Sequence, residues 1–230
     1  VTSRGALNIP GFCDGIDVSL LQHPAEYERV RQAGFRFCIV KGSENWSYRD
    51  PRAREHIAGC QAAGLLVGVY GYARPGDPVA QADNLVRSMG DVWLPRPVLD
   101  LEDKGFDAWE PERVVAFAEA FLDRLDTHGA AHGVLYTYPS FAAKIQPALS
   151  KSSRLASASL WLAQYATLDR PWAPEPSGVE WAKAPKPWAA WTMWQYSGNK
   201  GYRVPGIGVD CDRNLFRGSL EDLRAWFGRG

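Results

Sequence analysis

The chain has 230 residues, enough for one large domain with a sizeable core, since single α/β barrels and sandwiches reach this length. Hydrophobic residues make up 46% and charged residues 23%, and 26 Lys plus Arg balance 26 Asp plus Glu. This composition excludes a disordered chain, lacks the basic excess of a nucleic-acid binder, and contains no apolar run near the ~20 residues of a membrane span.

In chain order, five short apolar runs alternate with longer segments of helical period. The runs are "GIDVS" (15–19), "FRFCIVK" (35–41), "LLVGVYGYA" (65–73), "RPVLDLE" (96–102) and "HGVLYTY" (132–138). The intervening segments end at Gly34, Gly64, Gly90 and Gly129, where glycine supplies the left-handed residue that stops a helix. The clearest helix spans Pro111 to His128, with Pro111 suited to the first turn and Val114, Ala118, Phe121 and Leu125 forming one apolar stripe.

Three further strands follow, "LWLAQY" (160–165), "AWTMWQYS" (190–197) and "GVDCDRN" (208–214), separated by Pro-rich loops without a clear amphipathic helix. Strand followed by helix implies parallel neighbours, which need long crossovers. Five such units and three more strands predict a single domain, residues 1–230, built on a closed eight-stranded barrel. An open doubly wound sheet would usually carry a Gly-rich phosphate turn after its first strand, and "DVSLLQHP" is not one.

In a barrel of parallel strands, functional groups gather at the C-terminal strand ends. Asp100 and Glu102 are two residues apart on the fourth strand, so both point to one face with Cα atoms about 6.5–7 Å apart. Leu99 and Leu101 then face the outer helices, and Asp103, of opposite parity, caps the loop or faces solvent. Asp17 ends the first strand and Asp212 the last. Like charges held this close cannot both ionise freely, so one carboxyl should titrate high and serve as an acid near neutral pH. Glu44, Tyr70, Tyr72, Tyr136, Tyr165, Trp194 and Gln195 lie at neighbouring strand ends and make a plausible sugar-binding cleft. Asp210 shares the parity of Asp212 and stands in reserve.

Other chemistries lack their residues. There is no G-x-S-x-G elbow, no H-E-x-x-H and no Walker loop. His23, His56 and His128 fall at helix-start, helix or helix-end positions and His132 opens a strand at its N-terminal end, away from the mouth, so a zinc site is poorly supplied with ligands. Cys38 and Cys60 read as buried thiols, whereas Cys13 and Cys211 are the better disulfide candidates.

"GIDVS" (15–19), "GVYGYARPGD" (68–77), "AQAD" (80–83), "VLDLE" (98–102), "LYTYPS" (135–140), "WQYS" (194–197) and "DRNLF" (212–216) together resemble glycoside hydrolase family 25, the Chalaropsis-type lysozymes. The resemblance implies a TIM-like (β/α)5(β)3 barrel that hydrolyses the β-1,4 bond between N-acetylmuramic acid and N-acetylglucosamine in peptidoglycan. On it, Glu102 matches the general acid, Asp100 its acidic partner, and Asp17 and Asp212 the other mouth carboxylates. It implies no cofactor or metal, peptidoglycan as partner with no nucleic acid or membrane insertion, and a monomer secreted, extracellular or delivered to the cell wall.

Two departures stand out. Gly71 replaces the His of the family's usual "YHF", where a packing contact is expected to change rather than a catalyst to be lost. "KGSENW" (41–46) replaces "KATEGxxY", keeping Glu44 and altering the loop. Whether the reaction retains or inverts configuration is open at this level, as is a non-catalytic peptidoglycan-binding barrel. A chitinase-like D-x-x-D-x-D-x-E signature is absent.

Overall fold

The computed structural model describes residues 5–92, 95–130, 133–165, 182–198 and 203–228. His132 and much of the Pro-rich loops expected between the last strands lie outside these residues. Among the described residues, nine strands form one sheet: β1 (Phe12–Val18), β2 (Phe37–Glu44), β3 (Tyr48–Arg49), β4 (Leu66–Tyr72), β5 (Pro97–Asp100), β6 (Val134–Thr137), β7 (Ser159–Ala163), β8 (Met193–Ser197) and β9 (Asp212–Arg217). Their order is β1-β9-β8-β7-β6-β5-β4-β2, and β1 pairs again with β2, so eight strands close a barrel. β3 folds back on the end of β2 as a short hairpin.

Helices occupy each of the first five connections: α1 (Tyr27–Gln32), α2 (Ala53–Ala62), α3 (Pro78–Met89), α4 (Pro111–Thr127), and the short trio α5 (Pro139–Lys144), α6 (Gln146–Leu149) and α7 (Ser153–Ser157). The fold is the α/β barrel expected from five βα units and three further strands. All four expected terminating glycines adopt positive φ, from 66° at Gly90 to 104° at Gly34. Helix α3 begins with Asp77 accepting hydrogen bonds from the Val79 and Ala80 amides and Pro78 in the first turn, while Pro111 opens α4 in the same way.

One strand differs in direction. β9 runs antiparallel to both β1 and β8, so Asp212 begins it rather than ending it. An antiparallel neighbour needs no crossover helix, which fits the absence of a helical pattern before it. Because β9 is reversed, its first residue lies at the same barrel end as the last residues of β1 and β5.

Two apolar layers hold this frame. Leu99, Leu101, Val114, Ala118, Phe121 and Leu125 belong to the layer between strands and helices, while Phe37, Ile39, Val98, Val134, Trp161, Met193 and Phe216 fill the barrel. A Cβ at Gly15 would collide with the Phe37 ring, so this position must be glycine for the ring to fill the barrel axis. After β9, α8 (Leu220–Trp226), started by a Ser219–Asp222 capping box, brings Leu223 and Phe227 against the lower end of the barrel core.

All four cysteines are free and buried. The expected candidates Cys13 and Cys211 cannot pair, because Cys13 lies at the start of β1 while Cys211 flanks the Asp17–Asp212 pair at its other end. That is about 16 Å along the strand, against the ~4.4–6.8 Å between Cα atoms that a disulfide spans.

Candidate active site

Asp17 and Asp212 are direct partners in the antiparallel β1–β9 ladder, and Asp100 is paired in register with Tyr72 on one side and Tyr136 on the other. Strand alternation therefore turns these carboxyls and Glu102 into the same barrel mouth, as the two-residue spacing requires. Asp100 is 5% exposed and Asp17 9%, whereas Glu102 is half-buried and opens more to the cleft.

A single amide organises one half of the mouth. Gln195 Oε1 accepts the hydroxyls of Tyr136 at 2.8 Å and Tyr165 at 2.7 Å, while its Nε2 donates to Asp17 Oδ2 at 2.9 Å and Asp212 Oδ2 at 3.3 Å. Two phenol donors on the oxygen leave the amide one orientation. Asn214 Nδ2 donates to the same Asp17 oxygen at 2.8 Å, and Asn214 Oδ1 accepts the Trp161 indole N–H at 2.8 Å. Asp100 Oδ1 and Asp212 Oδ1 are buried without a hydrogen-bond partner among the described residues.

Burial is the main force on every one of these acids. It raises Asp17 from 3.8 to about 6, even though Asn214 and Gln195 pull the other way through their hydrogen bonds. Asp212 is raised by burial to about 9, with further contributions from Asp17, Glu102 and Asp210. Asp100 is driven well above its ordinary value by burial and then by Glu102, partly offset by Lys41. Glu102 is raised by burial, Asp17 and Asp103. At neutral pH the mouth thus retains protons on carboxyls, the condition for general acid catalysis.

The opposite wall is an ion-pair strap. Lys41 Nζ reaches Glu44 Oε2 at 2.8 Å, and Arg74 bridges Glu44 Oε1, at 2.7 Å from Nη2, to Asp103. Tyr72 donates to Asp103 at 3.3 Å and lies under the Arg74 guanidinium at 4.8 Å from its ring centroid. Glu44 is therefore engaged by two cations at the edge of the mouth. Asp103 does cap the turn after β5, accepting from the Gly105 amide at 2.7 Å, but it is 8% exposed and part of the strap rather than facing solvent.

The remaining expected residues divide. Tyr70, Tyr72, Tyr136, Tyr165 and Gln195 line the mouth, with Tyr70 packed edge-on to Trp161 at 6.4 Å. Trp194 does not: Gln195 takes the inward position, so Trp194 points into the outer layer, 1% exposed, with its indole N–H donating to the Gln164 carbonyl. Asp210 precedes β9, in a bridge with Arg203, and Asp212 occupies the mouth.

A family model described as "Glycosyl hydrolases family 25" matches residues 16–207. The chain belongs to glycosyl hydrolase family 25. It is similar to Lysozyme M1 of Streptomyces globisporus, 30% identical over 223 residues, covering 92% of this chain and 70% of that one. It is also similar to the N,O-diacetylmuramidase of Chalaropsis, 32% identical over 141 residues, covering 55% and 66% of the two chains. Among solved structures, the bacterial lysozyme of Streptomyces coelicolor superposes with a TM-score of 0.80 at 28% identity, covering 95% of this chain and 98% of that one. Membership of family 25 makes this chain a glycoside hydrolase.

The two departures from the family 25 pattern resolve structurally. A Cβ at Gly71 would sit 3.1 Å from Ser43 Oγ and 3.3 Å from Leu85 Cδ2, so residue 71 faces α3 and not the mouth. Asn45, in the altered loop, has φ 59°, a left-handed conformation that Asn tolerates better than most residues, and Asn84 pins the hairpin by donating to the Asn45 and Tyr48 carbonyls.

Sequence reasoning missed Arg74, Lys41, Asn214 and Trp161. Arg74 and Asn214 both lie inside the family 25 motifs, as the Arg of "GVYGYARPGD" and the Asn of "DRNLF". Their parity or neighbouring acids were the available signal.

Proposed function

We propose that this family 25 barrel is a muramidase in which Glu102 is the general acid for cleavage of the β-1,4 bond between N-acetylmuramic acid and N-acetylglucosamine. The observation that carries the assignment is the gathering of Asp17, Asp100, Glu102 and Asp212 in one mouth, each pushed upward in pKa, with Glu102 the acid of the central pair that opens to the cleft. Glu102 gives its proton to the glycosidic oxygen as the bond to the anomeric carbon breaks. Asp100, with a buried unpartnered oxygen, accepts the N–H of the substrate's 2-acetamido group and orients its carbonyl oxygen to bond to that carbon. Glu102, now a carboxylate, takes a proton from water. The resulting hydroxide bonds to the anomeric carbon and releases the acetamido oxygen, so configuration is retained.

Tyr136, Tyr165 and Gln195 hold Asp17 and Asp212 in place and offer polar edges to the sugar. The protein acts at the bacterial cell wall, outside the cytoplasm, a reading supported by the named activities of its lysozyme relatives, and it does so as a single barrel that carries all four mouth acids itself.

The test is to incubate the protein and its Glu102→Gln form with purified peptidoglycan and identify the new reducing ends. Muramic-acid ends released by the unmodified protein and reduced at least ~10²-fold in the variant support the assignment. Equal release by both removes Glu102 from its role, and binding without release by either identifies a wall-binding barrel. Proton NMR of the first-formed anomer reads retention directly.

A further inference from the structure

Beside the mouth, a second groove of about 370 Å³ opens between the 3-10 turn Lys104–Ala108 and α5. Phe106 and Phe141, each 2% exposed, and Ile145 make its floor. Trp109 makes a wall; Arg113 stacks on this indole at 3.7 Å from the ring centroid. Edge-on contacts of Phe106 with Trp109 at 5.3 Å and with Phe141 at 6.4 Å set the groove's shape before any ligand arrives. At the lip, Lys144 Nζ and Asp107 Oδ1 pair at 2.6 Å, with side chains 50% and 43% exposed.

The groove neighbours the mouth through the turn after β5 and through Tyr138. Phe106 follows Glu102 by four residues, and Tyr138, which precedes α5, stands between the two sites. Its ring meets Phe141 edge-on at 5.9 Å, and its phenol lies within electrostatic reach of Glu102 on one side and of Lys144 and Asp107 on the other.

We propose that this groove holds the short peptide carried by the muramic acid of the same substrate whose glycosidic bond the mouth cuts. The inference rests on the muramidase reading. Sugars present hydroxyls and acetamides, which suit the convergent Gln, Tyr and Asp side chains of the mouth. The groove has an apolar floor, and its charged groups, Asp107 and Lys144, are spent on each other. A peptide of small apolar side chains with free carboxylate and amine groups matches that lining: its methyl groups pack along the half-buried Trp109 wall above the floor, its carboxylate meets Lys144 and its amine Asp107. Exchanging one exposed ion pair for two is a small gain, so the groove tunes substrate binding and leaves the chemical step alone.

The test compares soluble, uncrosslinked peptidoglycan strands with the same strands stripped of peptide by an amidase, using the whole protein and the surface variants Lys144→Glu and Asp107→Lys. The expected result is a rise in KM of roughly threefold to tenfold on intact strands, with kcat unchanged and no change on stripped strands. An equal effect on both strands would make the groove a sugar subsite, and no effect on either would leave it without a substrate role; each overturns the proposal. Failure of the unmodified protein to cut either strand would instead sink the muramidase reading, so the two failures are told apart.

Discussion

Replacing Asp212 by Asn should make the protein more stable at neutral and alkaline pH while removing a mouth carboxyl. The Asp212 carboxyl titrates near 9 in the folded chain and near 3.8 when unfolded. A raised acid supplies stability that is fully present below its unfolded pKa and is lost as pH rises toward the folded one, because only the unfolded chain releases the proton in that window. At pH 8 the penalty spans the interval from 3.8, at about 1.4 kcal/mol per pH unit, or an upper bound of about 6 kcal/mol. Asp212 is half-buried and one side of it faces the open mouth, so solvent screening reduces this to about 2 kcal/mol. Asparagine keeps the shape of the protonated acid and cannot ionise. Urea unfolding at pH 8 should therefore show Asp212→Asn more stable by about 2 kcal/mol, a midpoint shift of roughly 1 M, and the two proteins should converge below pH 4. A variant that is less stable at pH 8, or a difference independent of pH, would refute the reasoning.

Arg74→Met should leave Asp103 uncompensated beside Glu102, raise the acid's pKa further and move the alkaline limb of the kcat/KM profile to higher pH, at a stability loss of about 1 kcal/mol. Asp17→Asn should move that limb the other way, to lower pH, because the Asp17 charge is one of the forces holding the proton on Glu102; a pH–rate profile measures both shifts. Trp194→Phe should lower unfolding free energy by about 1–3 kcal/mol through the orphaned Gln164 carbonyl and lost packing, with kcat and KM unchanged, since its ring is in the outer layer.

The barrel was legible because its signals are local and periodic. Parity placed Asp100 and Glu102 on one face with Leu99 on the other, and the four terminating glycines marked where each crossover helix stops. The direction of β9 was not legible, since an antiparallel strand alternates like a parallel one and direction is decided by the connection that delivers it. Trp194 was misplaced for a related reason: β8 is buried on both faces, so its inward and outward residues are all bulky or neutral, and only the neighbouring amide of Gln195 separates them. Arg74 was hidden because its charge is cancelled by Glu44 and Asp103, residues 30 and 29 positions away in the chain, a contact that only the assembled mouth creates.

The distribution of hydrogen-bond donors orders the acids that the sequence could only group. Asp17 receives two firm amide donors, at 2.8 and 2.9 Å, and burial raises it only to about 6. Asp212 receives one weaker donor at 3.3 Å and titrates near 9, and Asp100, with an oxygen left unpartnered, is driven well above the carboxylate range. Donors stabilise the charged form, so each lost donor leaves burial less opposed. Asn214 and Gln195 thereby choose which acid carries the mouth's negative charge. That choice falls on Asp17, whose charge in turn favours the proton on Glu102. The amides act on catalysis through electrostatics one residue removed from the reacting bond. This accounts for why a neutral Asn buried beneath the mouth belongs to the same machinery as the carboxylates.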